Sequence, residues 1–267
     1  MNEILFCQTA CYTLILNAVI CAIFRWCHMC KPYNLNPSYF YPSRMFVTLA
    51  FLSISLLAPY LFHPESHDTW IFAKSFMLFY LPVFGTVSFR SFFFGTTRLW
   101  IRHYLLLLIL PIAAFVELFV LACLGGDSLK SYGMWSEITI LVVSFVLATK
   151  MMFTTHWLYL KIKEFVRGEY SNEDDFPLSF ARIVIFIPFA AWLISLAVFL
   201  IDSYVVNACN LLFITVLGVC ITILILHPQR KVCETMEKDI EKDAIEAKAV
   251  SVRNNAVPTA VKDNIER

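Results

Sequence analysis

Lys74, Glu117 and Lys150 stand inside long apolar runs, where few ionisable side chains occur without a task. A charged group at the centre of a bilayer costs roughly 2.5–3.5 kcal/mol on insertion scales, so each should face protein or water and have a partner. Lys74 lies about one turn into its run, and Glu117 lies about two turns before the end of the next run. On consecutive antiparallel helices this places both near the same membrane face, and a Lys74–Glu117 pair is geometrically allowed. Lys74 and Glu117 are therefore the candidate ligand-binding residues, lining an outward-facing polar pocket for a ligand or ion. The competing reading is that Lys74 snorkels to the interface while Glu117 is protonated or bonded locally. Lys150, near the other end of its run, snorkels in either case.

Metal and thiol chemistry find weaker footing. His63-Pro64-Glu65-Ser66-His67-Asp68 is the densest group of ligand types, and two His four apart share a metal only on a helix, which Pro64 opposes. A polar connecting loop accounts for it more simply. Cys27 and Cys30 form a C-x-x-C, half a zinc site or a redox pair, with Lys31 where haem attachment would need His and with no second C-x-x-C in the chain. Most of the nine cysteines fall in apolar runs, where a thiol behaves as a small apolar group. Cys123 and Cys209 lie near helix ends and would form a disulfide only if their helices meet. No metal or cofactor is expected. No G-x-S-x-G, H-E-x-x-H, P-loop or dinucleotide fingerprint is present and no nucleophile and base converge, so an enzyme is not expected and no catalytic residue is assigned.

The elements that must position these residues follow from composition. Of 267 residues, 59% are hydrophobic and 15% charged, and the mean hydropathy is +0.70, which a single water-soluble core does not accommodate. A bilayer core about 30 Å thick takes roughly 20 apolar residues as a helix. Seven stretches qualify: 4–24, 45–62, 71–89, 105–124, 138–157, 183–201 and 208–226. The first has Glu3 before it, no basic residue on its amino-terminal side and an apolar run too long for a secretory signal, so it reads as a retained helix. The expected fold is all-α, a polytopic seven-transmembrane bundle over residues 1–228, followed by a charged cytoplasmic tail over 229–267. In that tail Glu234 and Lys238 sit at i,i+4, and Val232, Met236 and Ile240 suit an amphipathic helix that gives way to a linker.

Orientation comes from basic residues, which stay on the cytoplasmic side. Arg25, Lys31, Arg44, Arg90, Arg98, Arg102, Lys161, Lys163, Arg167 and Arg182 flank alternate connections, whereas the opposite connections hold Lys130. The amino terminus is expected outside and the carboxyl terminus in the cytoplasm, in the inner or plasma membrane. Trp26, Trp70, Trp100, Trp135 and Trp157 fall at span ends, where indoles favour the headgroup level, and Trp192 falls mid-span. Residues 169–177 read as an ordered acidic loop with Ser171 and Asp174 as a helix-start signal.

Three short motifs carry a resemblance. Asn36-Pro37-Ser38-Tyr39-Phe40-Tyr41-Pro42-Ser43-Arg44, Leu81-Pro82 and Glu169-Tyr170-Ser171-Asn172-Glu173-Asp174-Asp175-Phe176-Pro177 resemble the membrane-embedded amino-terminal module of bacterial membrane-anchored AraC-type transcriptional regulators. The resemblance implies a multi-helix sensor coupling an envelope or membrane signal to transcription. No helix-turn-helix pair is present up to Arg267, so no DNA-reading residue carries over and no direct nucleic-acid contact is expected from this chain. The expected partners are the lipid bilayer, an unidentified small ligand or envelope signal, and a cytoplasmic regulator or a second copy of the chain. A small-solute transporter or channel using Lys74 and Glu117 is the alternative. In its favour Pro111 and Pro188 interrupt two spans; against it, seven spans divide poorly into equal halves and the chain has only seven Gly.

Overall fold

An apolar medium offers no partner to a backbone N–H or C=O, and the chain satisfies its own with helices. The computed structural model describes residues 3–27, 39–40, 44–93, 98–169, 178–226 and 229–230. Its helices are α1 (Glu3–Trp26), α2 (Arg44–Ser53), α3 (Ala58–Phe62), α4 (His67–Phe93), α5 (Arg98–Leu124), α6 (Met134–Glu169), α7 (Leu178–Ile201) and α8 (Tyr204–Leu226), with 3-10 turns at Ile54–Leu57 and Ser128–Ser131. Tyr39–Phe40 pairs antiparallel with Gln229–Arg230, a two-residue contact at the end of an otherwise helical fold. The expected tail helix beyond Arg230 and most of the acidic 169–177 loop lie outside the described residues.

Four helical stretches are long and apolar enough to cross a membrane: Glu3–Trp26, His67–Val87, Met134–Glu164 and Tyr204–Ile223. Shorter apolar helical stretches occupy Val47–Phe62, Pro111–Leu124 and Phe186–Ile201. Large apolar side chains face outward on them, among them Val116 and Val120 of α5, Phe145 and Phe153 of α6, and Leu200 and Val216. Such an exterior suits lipid rather than water.

The helices are not equivalent. In α4 78% of the spanning window is buried, against 33% in α1 and 28% in α8, which makes α4 the central helix. It packs against α5, α6 and α7, while α1 packs against α8 and α2. On α1 the buried face is Cys7, Ala10, Cys11, Leu14, Ala18, Cys21 and Ala22, mostly small residues at spacings of three and four that let a neighbouring backbone come close. Asn17 uses that proximity to donate from Nδ2 to the Thr215 carbonyl at 3.3 Å. Asn207 and Asn210 lie inside α8 and are buried between helices. Their amide nitrogens approach Cys7 Sγ at 3.4 Å and Ser195 Oγ at 3.3 Å.

The second expected span is not one helix but α2, a 3-10 turn and α3. Pro59 has no N–H for the carbonyl four residues back and its ring crowds that carbonyl, so Ser55 O accepts from Ala58 instead and the helix tightens. Neighbours take up carbonyls of the broken stretch: Tyr80 Oη donates to Ala50 at 2.9 Å and Gln8 Nε2 donates to Leu61 at 2.8 Å. By contrast Pro111 and Pro188 do not interrupt their helices, and neither does Pro82, since α4, α5 and α7 run through all three. Packing from adjacent helices overrides the local penalty. The helix holding Trp157 likewise runs on to Glu169, well past the expected span end.

Gly85 marks where α4, α6 and α7 converge. A Cβ there would lie 2.8 Å from Pro188 Cβ and 3.0 Å from Met151 Sδ. The Pro188 ring is rigid, so Gly85→Leu should destabilise the fold by about 1–3 kcal/mol or more. Lowered thermal unfolding of the detergent-solubilised variant, with Gly218→Ala in a roomier site as the comparison, checks this.

Candidate functional site

Lys74 sits two turns into the central helix, and its side chain is 2% exposed. Burying an ammonium is unfavourable unless opposite charge and hydrogen bonds replace its water. The charge comes from Asp202, whose Oδ1 accepts from Lys74 Nζ at 2.5 Å and from Trp70 Nε1 at 2.9 Å. Glu137 Oε1 of α6 is 3.8 Å from the ammonium, close enough for attraction and too long for a hydrogen bond. Trp70 and Phe199 present their rings to Nζ at 5.5 and 5.1 Å, adding cation–π attraction. Tyr204, the first residue of α8, packs on the Trp70 ring with centroids 4.1 Å apart.

Asp202 occupies the two-residue turn between α7 and α8 with φ of 53°, the left-handed region that Asp tolerates better than most residues. Partial desolvation raises its pKa, but the hydrogen bonds from Lys74 and Trp70 and the Lys74 charge outweigh that and hold the carboxyl below the usual range. The Asp202 side chain is 63% exposed, so one carboxylate joins the buried cation to the outside of the bundle.

A second polar lock holds the same end. Asp68, fully buried at the start of α4, accepts from the Ser128 and Leu129 N–H groups at 2.8 Å each, and Asp127 accepts from the His67 N–H at 3.1 Å. Ser66 Oγ donates to the Gly126 carbonyl at 2.6 Å. These reciprocal bonds fasten the connection before α4 to the one before α6. His63 lies against Gly125, whose φ of +62° and lack of a Cβ both matter, since a Cβ would be 2.7 Å from the imidazole. The segment expected to be a polar connection rather than a metal site uses its Ser, His and Asp for this lock. Among the described residues no three His, Cys, Asp or Glu side chains gather as a metal site. Cys123 and Cys209 are both free and exposed, and Cys30 lies outside the described residues.

The structure separates Lys74 from Glu117. Lys74 faces Asp202 and Glu137, whereas Glu117 is exposed in a lateral groove between α5 and α6 of about 340 Å³, beside Tyr132, Trp135, Ser136 and Thr139. No protein family, curated protein or solved structure matches this chain. The site therefore has to be read from its own geometry. Lys74 was legible as a residue needing a partner, but Asp202 and Glu137 were not legible as that partner, because the pairing depends on α7 rather than α5 covering this face of α4. Trp70, expected at the headgroup level, is instead 6% exposed and bonded to Asp202.

Chemically the arrangement is a charge latch. One carboxylate on a turn neutralises a cation on the central helix, and protonation or a competing anion would release it. Asp202→Asn leaves the buried Lys74 with only the more distant Glu137 carboxylate and should cost about 1–3 kcal/mol, less than a fully buried pair because Asp202 is largely exposed. Lys74→Met combined with Asp202→Asn should recover part of that loss in a double-mutant cycle of thermal unfolding. For pH the sign is fixed by a lowered folded-state pKa: the pair's stabilisation is full at neutral pH and disappears as pH falls below the usual carboxylate range through the Asp202 value. Acid titration of the unfolding temperature should show this component in the wild type and not in Asp202→Asn.

Proposed function

We propose that this chain is a membrane-embedded signal-sensing module, seven spans with the amino terminus outside and the carboxyl terminus cytoplasmic, in the inner or plasma membrane. Its basic residues concentrate at the end opposite the Lys74–Asp202 latch, which supports that orientation. The resemblance of the three short motifs to the membrane modules of AraC-type regulators supports the sensing class.

The observation that carries the reading is the latch itself. Asp202 ties α4, through Lys74 and Trp70, to the turn that begins α8, and α8 is the described helix that leads toward the tail. A ligand carboxylate or phosphate, or a proton on Asp202, exchanges or removes the anion on Lys74 and so frees the α7–α8 turn. Such a signal biases two arrangements of α8, which pass to a cytoplasmic regulator or to a second copy of the chain. Neither step asks the chain to catalyse a reaction.

Transcript profiling of cells carrying the wild type, Lys74→Met, Asp202→Asn or a deletion of residues 232–267 tests this. The expected result is that the two latch variants fix the output in one state and the deletion abolishes it. Unchanged transcripts in all three, with each protein present in the membrane fraction, would sink the sensing role. Solute flux into vesicles that is lost in Glu117→Gln would favour the transporter alternative.

A further inference from the structure

A second feature lies away from the latch. Between α5 and α6 the groove holding Glu117 is followed by a cavity of about 290 Å³ lined by Leu108, Pro111, Val143, Leu147, Lys150 and Met151, and Val143 lines both. The two hollows adjoin at Val143, a divided trough along α6. Eleven residues separate Thr139, beside Glu117, from Lys150, which at 1.5 Å per residue is about 17 Å, close to half of a roughly 30 Å hydrocarbon core. On α6 the exposed apolar side chains Val142 and Val146 border the second hollow.

Polar groups are confined mainly to the two ends. Glu117 stands about 10 Å, seven residues, from the end of α5. It has no hydrogen bond or ion pair among the described residues, although its surroundings are apolar apart from Ser128, Ser136, Thr139 and the exposed aromatic residues Tyr132 and Trp135. A carboxylate flanked by aromatic rings is complementary to an ammonium group, through charge-assisted N–H···O bonds and ring faces.

We propose that this trough binds one phospholipid of the surrounding bilayer by a primary-ammonium headgroup, held at Glu117 with Tyr132 and Trp135, with an acyl chain running along Val143 toward Lys150. The groove opens sideways onto the apolar exterior, so the occupant comes from the bilayer rather than from water. The inference rests on the membrane-spanning reading and is independent of the latch.

The test uses the full chain purified in mild detergent and offered equal amounts of phosphatidylethanolamine, phosphatidylcholine and phosphatidylglycerol, with retained lipid quantified by mass spectrometry. Phosphatidylethanolamine should be enriched about tenfold over phosphatidylglycerol and severalfold over phosphatidylcholine, the size expected for one charge-assisted contact. Glu117→Gln should abolish the preference, Glu117→Asp should keep most of it, and Val143→Trp should displace the lipid by filling the trough. Lys74→Met should retain it, which separates this site from the latch. Equal retention of the three lipids by the wild type, or a preference that survives Glu117→Gln in a variant of unchanged unfolding temperature, would overturn the assignment.

Discussion

A buried ammonium on the most enclosed helix is the constraint around which the rest of this molecule is arranged. Lys74 cannot reach water from the centre of the bundle, so its anion must be brought to it, and the anion sits on the turn joining α7 to α8. That turn is two residues long, Asp202 takes a left-handed backbone in it, and Trp70, which also bonds Asp202, stacks with Tyr204. It also puts a titratable, partly exposed carboxylate in direct contact with the central helix.

Apolar packing provides the rigidity that such a latch needs. Phe72 and Phe76 of α4 mesh with Phe115 of α5 at centroid distances of 5.6 and 5.7 Å, and Trp192 Nε1 of α7 bonds Ser144 Oγ of α6 at 3.0 Å. Ser144 in turn donates to the Leu78 carbonyl of α4. Polar groups inside the bundle are thus used pairwise between helices, and small residues let α1 approach α8. Because lipid tails compete with apolar contacts between helices, these close approaches and hydrogen bonds confer the specificity that a water-driven core obtains from burial alone.

The two ends of the chain's polar chemistry are divided between two faces. Lys74 and its acidic partners form a charge-balanced, aromatic-lined site at one end of the bundle. Glu117 lines a separate groove between α5 and α6 whose lining, among the described residues, holds no cation. In the first arrangement the protein supplies both charges, and in the second it supplies one.

Length, hydropathy and charge placement by themselves determined that the chain is helical and apolar, along which stretches most of its helices lie though not where they start, and that Lys74 and Glu117 required explanation, because periodicity and solvation are local properties. The sequence did not reveal which helices are neighbours. Pro111 and Pro188 read as interruptions, yet α5 and α7 continue through them, and Pro59 breaks its span because the turn at Ile54–Leu57 replaces the lost bond and side chains of α1 and α4 take up nearby carbonyls. Lys74 and Glu117 read as a pair because consecutive helices were the nearest candidates. Only the tertiary structure set Asp202 against Lys74 across 128 residues and turned Glu117 outward, since the choice depends on which helix faces cover α4. That choice is made by shape complementarity among many weak contacts, which no single stretch of residues contains.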